Sequence, residues 1–246
     1  MQHPASTRAS WRDLTLFALG PGLLTVAIAG LFFVHPWPVP YAVQAKSYDP
    51  LFFGPVLVLG GLGVWLSPRI GAASAPSFRD GQAWLWLLAV AVLTGLAFTG
   101  VSAILDLEFN LSRVAAQAIG QRSINVPFPA SIAHYTFGAV IEECMGRLIP
   151  IPILAWLIGS LMLRGRRGTL VFWIVAALAS LPEPLGQALP LASRAPALAL
   201  ITVGVEYPGT LILVWLFRRF GWPVLIVTRL VQELSWHVLW PLLAPV

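Results

Sequence analysis

The sequence predicts an all-α protein, a polytopic transmembrane helix bundle of seven or eight helices that forms a single membrane domain over residues 1–246. Hydrophobic residues make up 58% of the chain and charged residues only 10%, whereas an average soluble protein carries about 25% charged residues. Long apolar stretches also recur, with short Arg-containing segments between them. A water-soluble globule cannot cover so much apolar surface, but lipid tails solvate the outer faces of membrane helices.

Seven apolar stretches approach the length of about 20 residues that a helix needs to cross a bilayer. They run from Leu14 to Val34, Leu51 to Leu66, Ala83 to Leu105, Ile132 to Leu163, Thr169 to Leu185, Ala195 to Phe217 and Val224 to Leu243. The fourth stretch is longer than one upright helix requires, and it contains Pro150 and Pro152, which each remove a helix hydrogen bond. It forms either one kinked span or two short ones, so the sequence is compatible with seven or with eight crossings.

The basic residues indicate topology rather than nucleic-acid binding, because they lie in short segments between the apolar stretches. With seven crossings, nine of them share one side: Arg8, Arg12, Arg69, Arg79, Arg164, Arg166, Arg167, Arg218 and Arg219. The other side keeps Lys46, Arg113, Arg122 and Arg194. Cytoplasmic loops are enriched in Lys and Arg, so we expect a multi-pass protein of the cytoplasmic membrane with a cytoplasmic N-terminus and lipids as partners.

One long segment of mixed polarity, from Asp106 to Pro129, separates the third and fourth apolar stretches. The spacing of Leu107, Leu111, Val114 and Ala118 predicts an amphipathic helix at the membrane interface. The segment is either a plain connector or a functional lid.

Ionisable residues recur within the last four apolar stretches, although each costs about 2.5–3.5 kcal/mol near the bilayer centre on insertion scales. They are Glu142, Glu143, Arg147, Glu183, Glu206, Arg229, Glu233 and His237. Residues four apart share a helix face. Glu143 and Arg147 therefore lie on one face of their helix, and Arg229, Glu233 and His237 form one polar stripe on theirs. Such groups either fix helix register as ion pairs or line a functional cavity.

Other chemistries have little support in the sequence. Cys144 is the one cysteine, so the chain forms no internal disulfide and no four-thiolate metal site. Nucleotide-binding glycine motifs, HExxH and GxSxG are all absent from the sequence, and we therefore expect no cofactor and no metal ion.

The segment Ile141-Glu142-Glu143-Cys144-Met145-Gly146-Arg147 resembles the EExxxR signature of the CPBP family of intramembrane proteases, which includes type II CAAX prenyl endopeptidases and bacterial abortive-infection proteins. A second similarity covers residues 209–221, before the last helix, and the protease-like core spans residues 132–246. The resemblance implies a general-base role for Glu142, support from Glu143 and Arg147, and a membrane-anchored or prenylated peptide as substrate.

The sequence departs from the family pattern at both histidine motifs. Glu183 stands where the FxxxH motif has its histidine, and Arg229 and Glu233 stand at the two ends of the final HxxxN/D motif. His237 lies one helical turn further on and supplies an imidazole only by a shifted register. A two-histidine metal site is difficult to build from one histidine, so the enzymatic hypothesis is water activation by Glu142 without a metal.

Three hypotheses remain. The first is an intramembrane endopeptidase with Glu142 as base and with Arg229 or His237 stabilising the oxyanion. The second is a catalytically inactive relative that binds a membrane protein or a lipid-like ligand. The third is a small transporter or proton relay, which intramembrane carboxylates also mark, although the chain shows no repeated half.

Overall fold

The all-α fold class is confirmed in a computed structural model, which describes residues 4–34, 47–77 and 79–244. All regular structure in these ranges is helical. Six helical stretches in them are long and apolar enough to cross a membrane: Arg8–Val34, Pro50–Ile70, Gly81–Phe109, Ala130–Met162, Gly168–Ala192 and Pro196–Phe220. The chain therefore has the helices of a multi-pass integral membrane protein.

The first half of the chain contains helices α1 (Pro4–Phe17), α2 (Leu23–Val34), α3 (Pro50–Leu66), α4 (Gly81–Phe109) and α5 (Leu111–Ala118). Aspartate side chains cap the N-terminal ends of two of these helices. The Asp49 carboxylate accepts a hydrogen bond of 2.9 Å from the backbone N–H of Leu51, and Asp80 accepts one of 2.9 Å from Ala83. These bonds satisfy N–H groups that lack a partner in the first turn of a helix.

The second half contains helices α6 (Ala130–Glu143), α7 (Pro150–Ala155), α8 (Gly168–Ala179), α9 (Pro182–Ala192), α10 (Pro196–Phe220), α11 (Trp222–Leu234) and α12 (Trp240–Leu243). Wider π-helical turns extend α6, α7 and α11 over Cys144–Leu148, Trp156–Met162 and Ser235–Leu239. Proline begins or nearly begins all of these helices except α6 and α8, in agreement with its preference for the first helical turn.

The proline-containing fourth apolar stretch forms one helical stretch, Ala130–Met162, rather than two. Pro150 has no N–H to donate, and the helix adapts by widening before it. The Ile149 N–H donates to the carbonyl of Cys144, five residues back, over 2.8 Å. This π-helical turn keeps the helix continuous where a regular α-helix would lose a hydrogen bond.

The predicted fifth span, Thr169 to Leu185, lies in the helical stretch Gly168–Ala192, which contains a turn. Helix α8 ends at Ala179, the chain turns through Ser180 and Leu181, and α9 begins at Pro182. The amphipathic helix predicted after Asp106 is present as α5, but Leu107 lies in α4 and is exposed. Leu111, Val114 and Ala118 pack against a buried cluster from α9 and α10.

Helix α11 lies inside the bundle, packed against α4, α6 and α10. Its residues Val224 and Leu225 are fully buried. Gly95 allows α4 to approach closely, since a Cβ atom there would lie 2.7 Å from the Thr228 carbonyl oxygen. The polar stripe of α11 is therefore held in the interior of the protein.

Candidate functional site

Four of the predicted site residues form a closed ring of ion pairs. Arg147 donates to Glu143 Oε1 over 2.6 Å and to Glu183 Oε2 over 2.7 Å. Arg229 donates to the same Glu143 Oε1 over 3.1 Å and to Glu183 Oε1. We call Glu143, Arg147, Glu183 and Arg229 the ion-pair ring.

Three separate parts of the fold bring the ring together. Glu143 and Arg147 lie at the end of α6 and in the π-helical turn that follows it. Glu183 lies in the first turn of α9, where the positive end of the helix dipole stabilises a carboxylate. Arg229 lies near the middle of α11. The ring thus joins three helices that are distant in sequence.

The ring is almost removed from solvent. The exposed fraction is 0% for the Glu143 side chain, 2% for Arg147, 4% for Arg229 and 24% for Glu183. Within the ring, each guanidinium contacts two carboxylates and each carboxylate contacts two guanidiniums, so the four formal charges of the ring cancel. Such pairing offsets the large cost of moving ions out of water.

A polar cavity of about 360 Å³ opens beside the ring, and we call it the chamber. Glu142, Arg229, Glu233 and His237 line it together with Glu206 and Gln232. The Glu142 side chain is 56% exposed, and its Oε2 lies 3.9 Å from Arg229 Nε. The adjacent residues Glu142 and Glu143 thus face different environments, the first an open cavity and the second the buried ring.

The stripe on α11 continues from the ring to the far wall of the chamber. Glu233 Oε1 lies 3.7 Å from Arg229 Nη1, and Glu233 Oε2 lies 3.5 Å from His237 Nε2. The other ring nitrogen of His237, Nδ1, lies 2.7 Å from Asn125 Oδ1. All seven predicted site residues therefore lie in one connected group.

The structure adds residues that the sequence analysis did not select. Asn125 holds His237, and the Tyr135 ring stacks on the His237 imidazole with centroids 4.3 Å apart. His134, another chamber residue, is hydrogen-bonded through Nδ1 to the Tyr48 hydroxyl. No spacing rule connects Asn125 with His237 across 112 positions, so only their meeting in the fold reveals the contact.

In the part of the chain that the structure describes, no group of three or more His, Cys, Asp or Glu side chains is arranged to hold a metal ion. The carboxylates of Glu143 and Glu183 are occupied by guanidiniums instead. The side chains of the chamber can transfer protons through carboxylate and imidazole groups, and Arg229 can stabilise an anion.

Comparisons with protein-family models, with curated proteins and with solved structures each find no match for this chain.

Proposed function

We propose that this protein is a CPBP-like intramembrane endopeptidase that hydrolyses a peptide bond in the chamber, with Glu142 as general base. One observation carries the proposal: Glu142 presents an open carboxylate to a polar cavity inside an apolar helix bundle, while its neighbour Glu143 anchors the same helix in the ion-pair ring. Two consecutive glutamates with these different surroundings suit a base and its positioning residue.

In the proposed reaction, a water molecule lies between Glu142 and the peptide carbonyl. The carboxylate takes a proton from the water as the water oxygen bonds to the carbonyl carbon, which gives a tetrahedral oxyanion. The protonated Glu142 then gives that proton to the amide nitrogen, the C–N bond breaks, and the amine leaves. General-base catalysis of this kind contributes about 10²–10⁴-fold to the rate.

Arg229 is the proposed stabiliser of the oxyanion. Its Nε and Nη2 atoms are taken up by Glu143 and Glu183, but its Nη1 makes only long contacts, 3.4 Å to Gln232 Oε1 and 3.7 Å to Glu233 Oε1. This nitrogen therefore remains available to an anion in the chamber. A donor that the ring holds in place stabilises developing charge without reorganisation during the reaction.

The remaining predicted site residues position the reacting groups in this proposal. Glu143, Arg147 and Glu183 hold Arg229 and the end of α6. Glu233 lies between Arg229 and His237, and His237 is fixed by Asn125 at the chamber wall.

A membrane-anchored or prenylated peptide is the proposed substrate. Apolar side chains, including Leu105, Ile119, Leu191 and Trp236, line the chamber beside the acids. A cleft with this mixture of surfaces suits an extended peptide that carries a hydrophobic group.

The test of the proposal is cleavage of a peptide library, with farnesylated and unmodified members, by the purified protein in non-ionic detergent with EDTA present. Mass spectrometry detects the products. We expect Glu142→Gln to reduce the rate by about 10²-fold or more, since it removes the base. The matched control is Glu108→Gln, because Glu108 is an exposed residue at the end of α4. Equal cleavage by wild type and Glu142→Gln would remove the assignment.

A second candidate function is that of a non-catalytic relative that binds a membrane protein or a lipid-like ligand. The neutral ion-pair ring favours it, since both guanidiniums are largely committed to carboxylates. In that case no peptide in the library is cleaved, and Glu142→Gln leaves the cellular function intact.

We further propose seven crossings with the N-terminus in the cytoplasm. The seventh crossing is the helical stretch from α11 to α12, which reaches Leu243. This arrangement places the Arg-rich segments around Arg69, Arg166 and Arg219 on the cytoplasmic side, as the charge bias of membrane proteins favours.

A further inference from the structure

A second cavity adjoins the chamber at the end of the bundle where α4 ends and α6 begins. It has a volume of about 630 Å³ and is lined by the segment of residues 110–128 and by the end of the chain around Pro241 and Leu242. We call it the basic cleft. His237 and Ile124 line both cavities and so form part of the wall between them.

The basic cleft is positively charged. Arg113 and Arg122 both line it, both are exposed, and no carboxylate lines it among the described residues. Neither guanidinium has a hydrogen bond or an ion pair within the described ranges. Asp106, a buried acid near the end of α4, accepts hydrogen bonds from the Ser112 N–H over 2.7 Å and from Trp240 Nε1 over 2.8 Å.

Neutral polar groups complete the lining. Ser112 and Ser131 lie at the buried side of the cleft, and Asn125 lies at the wall to the chamber. An anion with several oxygen atoms needs several donors in one place, and guanidinium groups are well suited to phosphate oxygens. The cleft therefore presents the groups that a phosphate ester requires.

The rim of the cleft is apolar and lies at the ends of two membrane-spanning stretches, Gly81–Phe109 and Ala130–Met162. Phe128 is 64% exposed and Leu242 is 65% exposed, and both line the cleft. A hydrocarbon chain attached to the bound phosphate can lie along this rim within the lipid.

We propose that the basic cleft binds a phosphate group through Arg113 and Arg122. Two sources carry this chemistry, an anionic lipid headgroup and a phosphate compound in solution, and the apolar rim favours the lipid. The site is separate from the proposed peptidase chemistry, because His237 is the one member of the seven predicted site residues that lines it.

The experiment measures the melting temperature of the purified protein in non-ionic detergent with three ligands. They are dioleoyl phosphatidic acid, inorganic phosphate and dioleoylglycerol, which has the same chains without the phosphate. A ligand that binds the folded protein raises its melting temperature. We expect phosphatidic acid to raise it and dioleoylglycerol not to, with a smaller shift at high salt because exposed charges are screened.

The variants locate the site. Arg113→Gln and Arg122→Gln each weaken the binding about tenfold, the effect of losing one charge-assisted hydrogen bond, and the double variant loses the shift. Without ligand, both variants melt like the wild type because neither side chain has a partner to lose. Arg194→Gln, at another exposed arginine, keeps the full shift.

The outcomes distinguish a lipid from a soluble phosphate compound, and they are independent of the proposed peptidase activity. A shift with phosphatidic acid alone identifies a lipid site, and a shift with inorganic phosphate that the double variant loses identifies a soluble phosphate compound. The proposal is overturned if neither phosphate ligand acts, if dioleoylglycerol acts equally, or if the double variant keeps the shift. Since binding is measured directly, the result does not depend on whether the protein cleaves peptides.

Discussion

At the scale of single residues, Arg147 is a buried charge that links two helices. Its side chain is 2% exposed and bridges Glu143 and Glu183 over 2.6 and 2.7 Å. Substitution by Gln leaves two carboxylates facing one guanidinium in a buried site. We expect Arg147→Gln to lower the free energy of unfolding by about 3–5 kcal/mol, the usual cost of removing one partner from a buried pair.

Thermal and denaturant unfolding of the purified protein in detergent measure this loss. Arg147→Lys keeps the charge but lacks the planar fork that reaches two carboxylates, so it should fall between Arg147→Gln and wild type. Arg166→Gln is the matched control at an exposed position. If Arg147→Gln and Arg166→Gln unfold alike, the ring does not hold the three helices together.

The sequence predicted part of this ring. Helical spacing places Glu143 and Arg147 on one face, and the structure shows them paired. The charges of the sequence also predict that Glu183 pairs with Arg147 or Arg229, and the structure shows it paired with both, after the turn at Ser180 that precedes α9. Asn125 had no sequence signal at all, since it lies in a segment without helical periodicity and meets His237 only in the fold.

At the scale of helices, the close approach of α4 and α11 positions the polar stripe. Gly95 is buried, and a Cβ atom there would lie 2.7 Å from the Thr228 carbonyl oxygen and 2.8 Å from Val231 Cβ. Both neighbours belong to α11, so they move only if the helix moves. We expect Gly95→Ala to destabilise the protein by about 1–3 kcal/mol through overpacking.

Gly100 provides the control on the same helix, because it is exposed and a Cβ atom there meets nothing within 4 Å. Gly100→Ala should leave stability unchanged or raise it by about 0.5–1 kcal/mol, since alanine loses less conformational freedom in a helix. The two variants are compared by thermal unfolding in one detergent. Equal stability would show that α4 and α11 are less tightly packed than the backbone contact indicates.

Apolar length predicted the existence of these helices, whereas their local geometry depended on contacts that the sequence does not display. Because of the prolines at 150 and 152, the sequence was compatible with one kinked span or with two short ones. In the structure, the π-helical turn over Cys144–Leu148 keeps the stretch continuous. A second π-helical turn, Ser235–Leu239, carries His237 shortly before Pro241. The first turn carries Arg147 of the ion-pair ring and the second carries His237 of the chamber, in agreement with the frequent occurrence of π-helical turns at functional sites.

At the scale of the whole molecule, the distribution of charge links the fold to its orientation in the bilayer. The ion-pair ring lies among helices of the second half of the chain. Helices α4 and α5 help to line the chamber, and α1 and α3 contribute side chains to the adjoining apolar core. The basic cleft lies where the third spanning stretch ends and the fourth begins, so the proposed cytoplasmic N-terminus places the cleft on the opposite side of the membrane. With seven crossings, the ends of α10 and α12 lie on opposite sides of the membrane.

Single-cysteine labelling tests this topology, because Cys144 is fully buried and is the one native cysteine. In a Cys144→Ser background, we expect a membrane-impermeant thiol reagent to label Ala244→Cys in intact cells and Arg219→Cys only after permeabilisation. Leu93→Cys serves as the control, since Leu93 is 68% exposed in the middle of α4 and faces lipid if that helix spans the bilayer. It should resist labelling under both conditions. Labelling of Ala244→Cys and Arg219→Cys from the same side would exclude the seventh crossing, and labelling of Leu93→Cys would place α4 in water.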